Sequence, residues 1–167
     1  MSDIIKTTLT ALIYGERPSQ EAIRECFNEI MSGEVSEAQM SAFLIALKIR
    51  GEQVQDITAA ALVMREKAVT IKAPDTAIDI VGTGGDGFGT YNISTASAFV
   101  VAGCGVPVAK HGNKAVSSQS GAADVLSALG IRLDCEFELV ARALKEANIA
   151  FLLAPRHHAA MRHVAPV

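Results

Sequence analysis

The spacing of apolar residues divides the chain into two stretches of different texture. Up to about residue 70, apolar positions recur with a helical period and no run alternates as a strand would. The pattern predicts four helices. The first covers Ile4 to Tyr14 and stops at Gly15. The second follows Pro18 and Ser19, with Ile23, Phe27 and Ile30 on one face. The third opens on Ser36, whose partner Gln39 three residues on completes a capping-box signature, and Gly51 ends it. Its apolar face is Met40, Phe43, Leu44, Leu47 and Ile49. The fourth runs from Val54 to Ala68, with Ile57, Ala61, Leu62 and Met64 as the apolar positions.

The segment Lys72 to Thr76 breaks this period and reads as a linker. Beyond it the pattern changes. Ala77 to Val81 is a short β-rich run, Val106 to Ala109 a second strand, and Ile149 to Leu153 a third. A glycine-rich loop and a helix beginning near Ser94 separate the first two. A polar loop from His111 to Ser120, a helix from Gly121 to Leu129 stopped by Gly130, and a helix from Glu136 to Ala147 lead to the third. A last helix spans His157 to His163. Strands alternating with helices favour a parallel sheet with helical crossovers. The expected fold class is α/β, with a small all-helical N-terminal domain over residues 1–72. The first part of a parallel-sheet α/β domain follows over residues 73–167.

Composition supports this. Half the residues are hydrophobic, 5% are aromatic and Trp is absent, so the core must be aliphatic, as in helices packed on a parallel sheet. The net charge is −3 with no basic tract, so no nucleic-acid partner is expected. The uncharged stretch Tyr91 to Ala109 carries Asn92, Ser94, Thr95, Ser97 and Pro107 and is too polar to span a bilayer. The first ten residues lack a basic segment followed by an apolar core, so no signal peptide is read there. Cys26, Cys104 and Cys135 have neither zinc-ligand nor redox spacing and read as reduced thiols. The expected location is the cytoplasm, with no membrane contact.

The stretch from Asp79 to Thr95 is where chemistry concentrates. A strand ends, five glycines fall within eight residues from Gly82, and a helix opens at Asn92-Ile93-Ser94-Thr95. Glycines let backbone N–H groups approach a ligand closely, and helix N-termini favour anions. Ser94 and Thr95 add hydroxyls suited to phosphate oxygens or magnesium. Asp86 suits ribose hydroxyls or a metal. Gly82, Gly84 and Gly87 also satisfy the dinucleotide fingerprint formally, but the helix does not open on the third glycine. No acidic residue ends the next strand, which closes on Lys110-His111.

A second loop, Lys110 to Ser118, directly follows a strand. In open parallel sheets ligands bind beyond the carboxyl ends of strands, so two such loops on neighbouring strands would face each other. Lys110 and Lys114 supply charge for a pyrophosphate, Ser117 and Ser118 hydroxyls, and His111 and Asn113 donors for a planar aromatic acid.

The runs Gly82 to Asp86, Asn92 to Thr95, Lys110 to Asn113, Ala115 to Ser118 and Ser120 to Leu126 resemble, in order and spacing, the signature of the anthranilate phosphoribosyltransferases. The resemblance implies transfer of phosphoribosyl from 5-phosphoribosyl 1-pyrophosphate (PRPP) to the amine of anthranilate, in tryptophan synthesis. It assigns the PRPP site to Gly82, Gly85, Asp86, Thr90, Asn92, Ile93, Ser94, Thr95, Ala122 and the segment Lys110, His111, Gly112, Asn113, Lys114, Ala115, Val116, Ser117, Ser118. It assigns anthranilate contacts to Gly82, Asn113 and His111, a magnesium ligand to Ser94, and implies a homodimer. It assigns no catalytic acid or base. The family has Arg where Lys114 stands, and Lys keeps the charge but loses the bidentate fork. Members are longer, with an Asp-Glu pair for a second magnesium and an Arg for the anthranilate carboxylate expected beyond Val167, so the chain reads as a fragment that lacks part of the site. A nucleoside phosphorylase of the same fold and a non-enzymatic, nucleic-acid-binding relative are the alternatives.

His157, His158 and His163 stand close in sequence. One helix turn cannot aim all three at one ion, so one is expected to face the site and the others solvent or neighbours.

Overall fold

A computed structural model describes residues 3–82, 91–115 and 120–167. The chain forms two compact units, one running up to Ala68 and including His158–Val167, the other covering Val69–His157.

The first unit holds helices α1 (Asp3–Ile13), α2 (Gln20–Ser32), α3 (Glu37–Arg50) and α4 (Val54–Glu66), with a 3-10 helix (Ala159–His163) returning onto α2. Local signals set the boundaries. Ser19 caps α2 by accepting from Ala22 N at 3.2 Å. Ser36 accepts from Gln39 N at 3.4 Å and donates to Gln39 Oε1 at 3.0 Å. Gly15, Gly33 and Gly51 take positive φ at the stops. The core gathers Ile5, Ile23, Ile30, Met40 and Phe43, and Phe27 meets Phe43 edge-on with ring centroids 5.7 Å apart.

Two expected faces are corrected. In α4 the buried positions are Asp56, Ala59 and Val63, whereas Ile57 and Leu62 are 62% and 43% exposed. The observed set also recurs at helical spacing. Fully buried Ala59 lets α4 lie close against α2, which the bulkier residues of the other face would prevent. The Asp56 carboxylate goes inward because it accepts from Gln53 N at 2.9 Å, so it is buried with a partner. In α3, Met40, Phe43 and Leu47 are buried, but Ile49 in the last turn is 83% exposed.

The second unit holds α5 (Ile93–Gly103), strand β1 (Val108–Gly112), α6 (Ala122–Ala128), α7 (Phe137–Ala147), strand β2 (Ile149–Leu153) and one turn, α8 (Ala154–His157). The strands β1 and β2 run parallel in register from Val108↔Ile149 to Gly112↔Leu153, confirming the expected parallel sheet. Ala98 and Ala102 of α5 pack with Val108. Asn148 at φ 56° ends α7 in the left-handed region, where Asn is tolerated.

The strand expected at Ala77 to Val81 is reduced to one parallel bridge, Ile78↔Val108. Ile78 N donates to Pro107 O and Ala109 N to Ile78 O, both at 2.9 Å. The next rung of such a ladder would run from His111 N to the Ile80 carbonyl. Instead His111 N donates to Asp79 Oδ1 at 3.1 Å, and the Ile80 carbonyl accepts from Lys110 Nζ at 2.6 Å. Side chains replace the backbone rung. The strand expected at 106–109 correspondingly lies at Val108–Gly112, so Lys110 and His111 sit on it. The helix expected over His157 to His163 is broken into α8 and the 3-10 turn, which belong to different units.

Candidate functional site

The helix α5 opens where the motif placed it. Asn92 is its N-cap, and its side chain accepts from Thr95 N at 3.3 Å. This holds Ser94 and Thr95 in the first turn, at the N-terminal end of the helix. Thr95 is 2% exposed and, among the described residues, its hydroxyl has no hydrogen-bond partner. Ile93 points outward, 61% exposed.

Lys110 is the buried cation of this region, 2% exposed on β1. Its Nζ donates to the Ile80 carbonyl and lies 3.4 Å from Ser94 Oγ. One ammonium on β1 therefore links the segment before the glycine loop to the start of α5. Burial pushes it below the usual lysine range, and the Asp79 carboxylate opposes that shift.

The segment after β1 is fastened onto α6. Ala123 N donates to Asn113 O at 3.1 Å. Asp124 Oδ2 accepts from Ala115 N at 2.9 Å and from Gly121 N at 2.8 Å. Lys114 N donates to Asn113 Oδ1 at 2.8 Å. A Cβ built on Gly121 would stand 2.6 Å from Lys114 C and 2.7 Å from Asn113 O, so the two backbones touch there. Gly112 is enclosed likewise, its added Cβ 2.8 Å from the Phe151 ring and 3.1 Å from the Ala122 methyl. Asn113 and Lys114 are exposed, and His111 is partly buried.

The structure thus brings Ser94, Thr95 and Lys110 together, and places His111, Gly112, Asn113, Lys114 and Ala115 consecutively between β1 and α6. Gly82 is exposed where the first loop begins. Gly85, Asp86, Thr90, Val116, Ser117 and Ser118 lie outside the described residues. Asp79 and Asp124 were given no role by the motifs. Asp124 carried a readable signal, an acidic residue at the third position of a helix. Asp79 carried only its place in an apolar run.

The histidines do not form a centre. His157 is buried, its Nδ1 2.7 Å from the Val69 carbonyl and its ring edge-on to Phe137 at 4.9 Å, so it faces its own unit's interior. His163 accepts from Arg162 Nε at 3.2 Å and lies against Gly33. Among the described residues no three His, Cys, Asp or Glu side chains could share a metal ion. Cys26, Cys104 and Cys135 are free thiols. No described helix is long and apolar enough to cross a membrane.

Comparison with known proteins bears on these loops. The chain is 57% identical over 162 residues to the anthranilate phosphoribosyltransferase of Azospirillum brasilense, covering 97% of this chain and 46% of that protein. It is 59% identical over 159 residues to that of Rhodospirillum rubrum, covering 95% and 46%. The fold matches the crystal structure of anthranilate phosphoribosyltransferase from Thermus thermophilus with a TM-score of 0.85 at 45% identity, over 99% of this chain and 49% of that one. The Saccharomyces cerevisiae anthranilate phosphoribosyltransferase in complex with PRPP and Mg matches with a TM-score of 0.87 at 28% identity, over 99% and 50%. The chain spans about half the length of the relatives it matches. The helical bundle domain of the glycosyl transferase family matches residues 6–68 and its a/b domain residues 74–167, and the chain belongs to that family.

Proposed function

We propose that this chain is the phosphoribosyl pyrophosphate-binding part of an anthranilate phosphoribosyltransferase. The observation that carries the reading is the meeting of buried Lys110, Ser94 and the buried Thr95 hydroxyl, without a partner among the described residues, at the start of α5. A buried ammonium beside a helix N-terminus is a site for an anion. The relatives' reaction supplies one, the pyrophosphate of PRPP. In that reaction the amine nitrogen of anthranilate forms a bond to C1 of the ribose. The C1–O bond breaks, its electron pair leaves with pyrophosphate, and the amine gives up a proton. Charge develops on the leaving group and on the ribose, so positioned cations and N–H donors carry the effect.

Magnesium fits the donors present. It keeps several waters and takes substrate phosphates with one or two protein oxygens, and the Ser94 hydroxyl is one such oxygen. When bound it supplies charge neutralisation for the pyrophosphate. Lys110 to Ser118, with Gly82, Gly85, Asp86, Thr90, Asn92 to Thr95 and Ala122, would line the PRPP site, and Gly82, Asn113 and His111 would meet anthranilate. A cytoplasmic homodimer completes the proposal. Ile45, Ile49 and Ile57, which are 58%, 83% and 62% exposed, are apolar surface of the kind a second copy covers.

Calorimetric titration with PRPP and magnesium, with NAD as control ligand, tests the reading. The expected result is saturable, magnesium-dependent binding that weakens in Ser94→Ala. Binding of NAD in place of PRPP, or turnover of a nucleoside with phosphate, overturns it.

A further inference from the structure

The segment Asn113–Ala115 and the residue Gly121 close on each other across the first turn of α6, and one side chain joins them. Both backbone donors, Ala115 N and Gly121 N, point at the same oxygen of Asp124. A carboxylate oxygen has lone pairs for two such bonds. The Ala123 N to Asn113 O bond sits beside them, and the Gly121 backbone lies in contact with Lys114 and Asn113 with no room for a side chain. Removing the carboxylate leaves Ala115 N and Gly121 N without this acceptor, while Asn113 O keeps its bond to Ala123 N. The carboxylate's charge is also absorbed locally. The bonds from Ala115 and Gly121 hold Asp124 below the usual carboxylate range, and nearby Lys114 adds to the effect.

We propose that Asp124 is a positioning residue of the site: through one oxygen it fixes the backbone of Asn113, Lys114 and Ala115 in the arrangement that receives substrate. This rests on the reading of that segment as part of the PRPP site. An anion site would normally exclude a carboxylate. Here one oxygen is engaged by Ala115 N of the segment and by Gly121 N at the start of α6, so the carboxylate ties the segment to the helix.

Two measurements on the whole chain test this. Backbone amide exchange is followed at Ala115 and Gly121 in the unaltered chain, Asp124→Ala and Asp124→Asn. The Asn side-chain oxygen can still accept both bonds, so protection should persist in Asp124→Asn and be lost in Asp124→Ala, with α6 otherwise protected. PRPP–magnesium titration should then show Asp124→Ala weakened by about tenfold or more, and Asp124→Asn within about threefold of the unaltered chain, both read well below the melting temperature. Equal affinity of all three overturns the positioning role, since a merely structural residue would lower the melt without moving affinity. Equal loss in Asp124→Asn and Asp124→Ala overturns the hydrogen-bond basis and assigns the effect to charge. Absence of PRPP binding by the unaltered chain, with the exchange pattern as expected, condemns the reading of the site while leaving the clamp standing. Unchanged exchange in Asp124→Ala condemns the clamp itself.

Discussion

Gly121→Ala and Gly103→Ala should move stability in opposite directions, although both add one methyl group. The Gly121 backbone has φ −89° and ψ 174°, extended values that any residue adopts, so conformational strain is not at issue. Space decides. An added Cβ would stand 2.6 Å from Lys114 C and 2.7 Å from Asn113 O, and both are backbone atoms that no rotamer change can move aside. The segment is also tied down by Asp124 and Ala123. Overpacking of this kind costs about 1–3 kcal/mol. A unit spanning Val69–His157 loses about 4–8 °C of melting temperature per kcal/mol. Gly103 closes α5 with nothing within 4 Å of its added Cβ, and a helical Gly gives away about 0.5–1 kcal/mol relative to Ala. The assay is a thermal melt supported by amide exchange of β1 and β2, because a two-unit chain need not melt in one step. Gly121→Ala should melt earlier and bind PRPP–magnesium more weakly, with Gly103→Ala at or above the unaltered chain. A Gly121→Ala melt within about 1 °C of the unaltered protein would refute the steric reasoning.

Further expectations follow from burial and charge. Phe43→Ala, which empties a fully buried ring position, should destabilise the helical unit by about 3–5 kcal/mol in urea unfolding, whereas Ile13→Ala, at an exposed position, should stay within about 0.5 kcal/mol. Lys110→Met should leave the Ile80 carbonyl without its side-chain donor, costing about 1–3 kcal/mol in denaturant, and should abolish PRPP binding. Retained affinity would show that the ammonium serves the sheet alone. Burial pushes the Cys26 thiol up to about 11, so its thiolate fraction at pH 8 is on the order of 0.1%. A thiol reagent followed by mass spectrometry should modify exposed Cys104 rapidly and Cys26 only after denaturation. The Asp124 carboxyl titrates below its unfolded value, so its stabilisation is present above about pH 4 and lost as pH falls through the lower folded value. Asp124→Asn should therefore flatten the acid limb of the melting curve.

The helical unit was legible because its signals are local. Ser19, Ser36 and the glycines at 15, 33 and 51 fixed the ends, and each does its work within one turn. What the pattern missed was phase. In α4 two sets of positions share the helical period, and ranking them by side-chain size selected Ile57 and Leu62 over Asp56, Ala59 and Val63. Close approach of α4 to α2 favours the small residue, and a carboxylate can be buried once a backbone N–H meets it. Neither fact is visible in hydropathy.

The α/β unit failed in a more instructive place. Polar residues after an apolar run are read as the end of a strand, so Lys110 and His111 were assigned to a loop and Ala77 to Val81 to a full strand. The structure exchanges the two. Asp79 and Lys110 reach across where backbone would have paired, so β1 continues through its polar residues while the first run stops after Ile78. That substitution has a consequence for binding. A backbone rung between His111 and Ile80 would have satisfied both groups and left no charge there. The side-chain version places a buried ammonium beside Ser94, at the start of α5, where an anion can use it. Local pattern and structure part company at the proposed site, where a buried charge stands in place of a regular strand pairing.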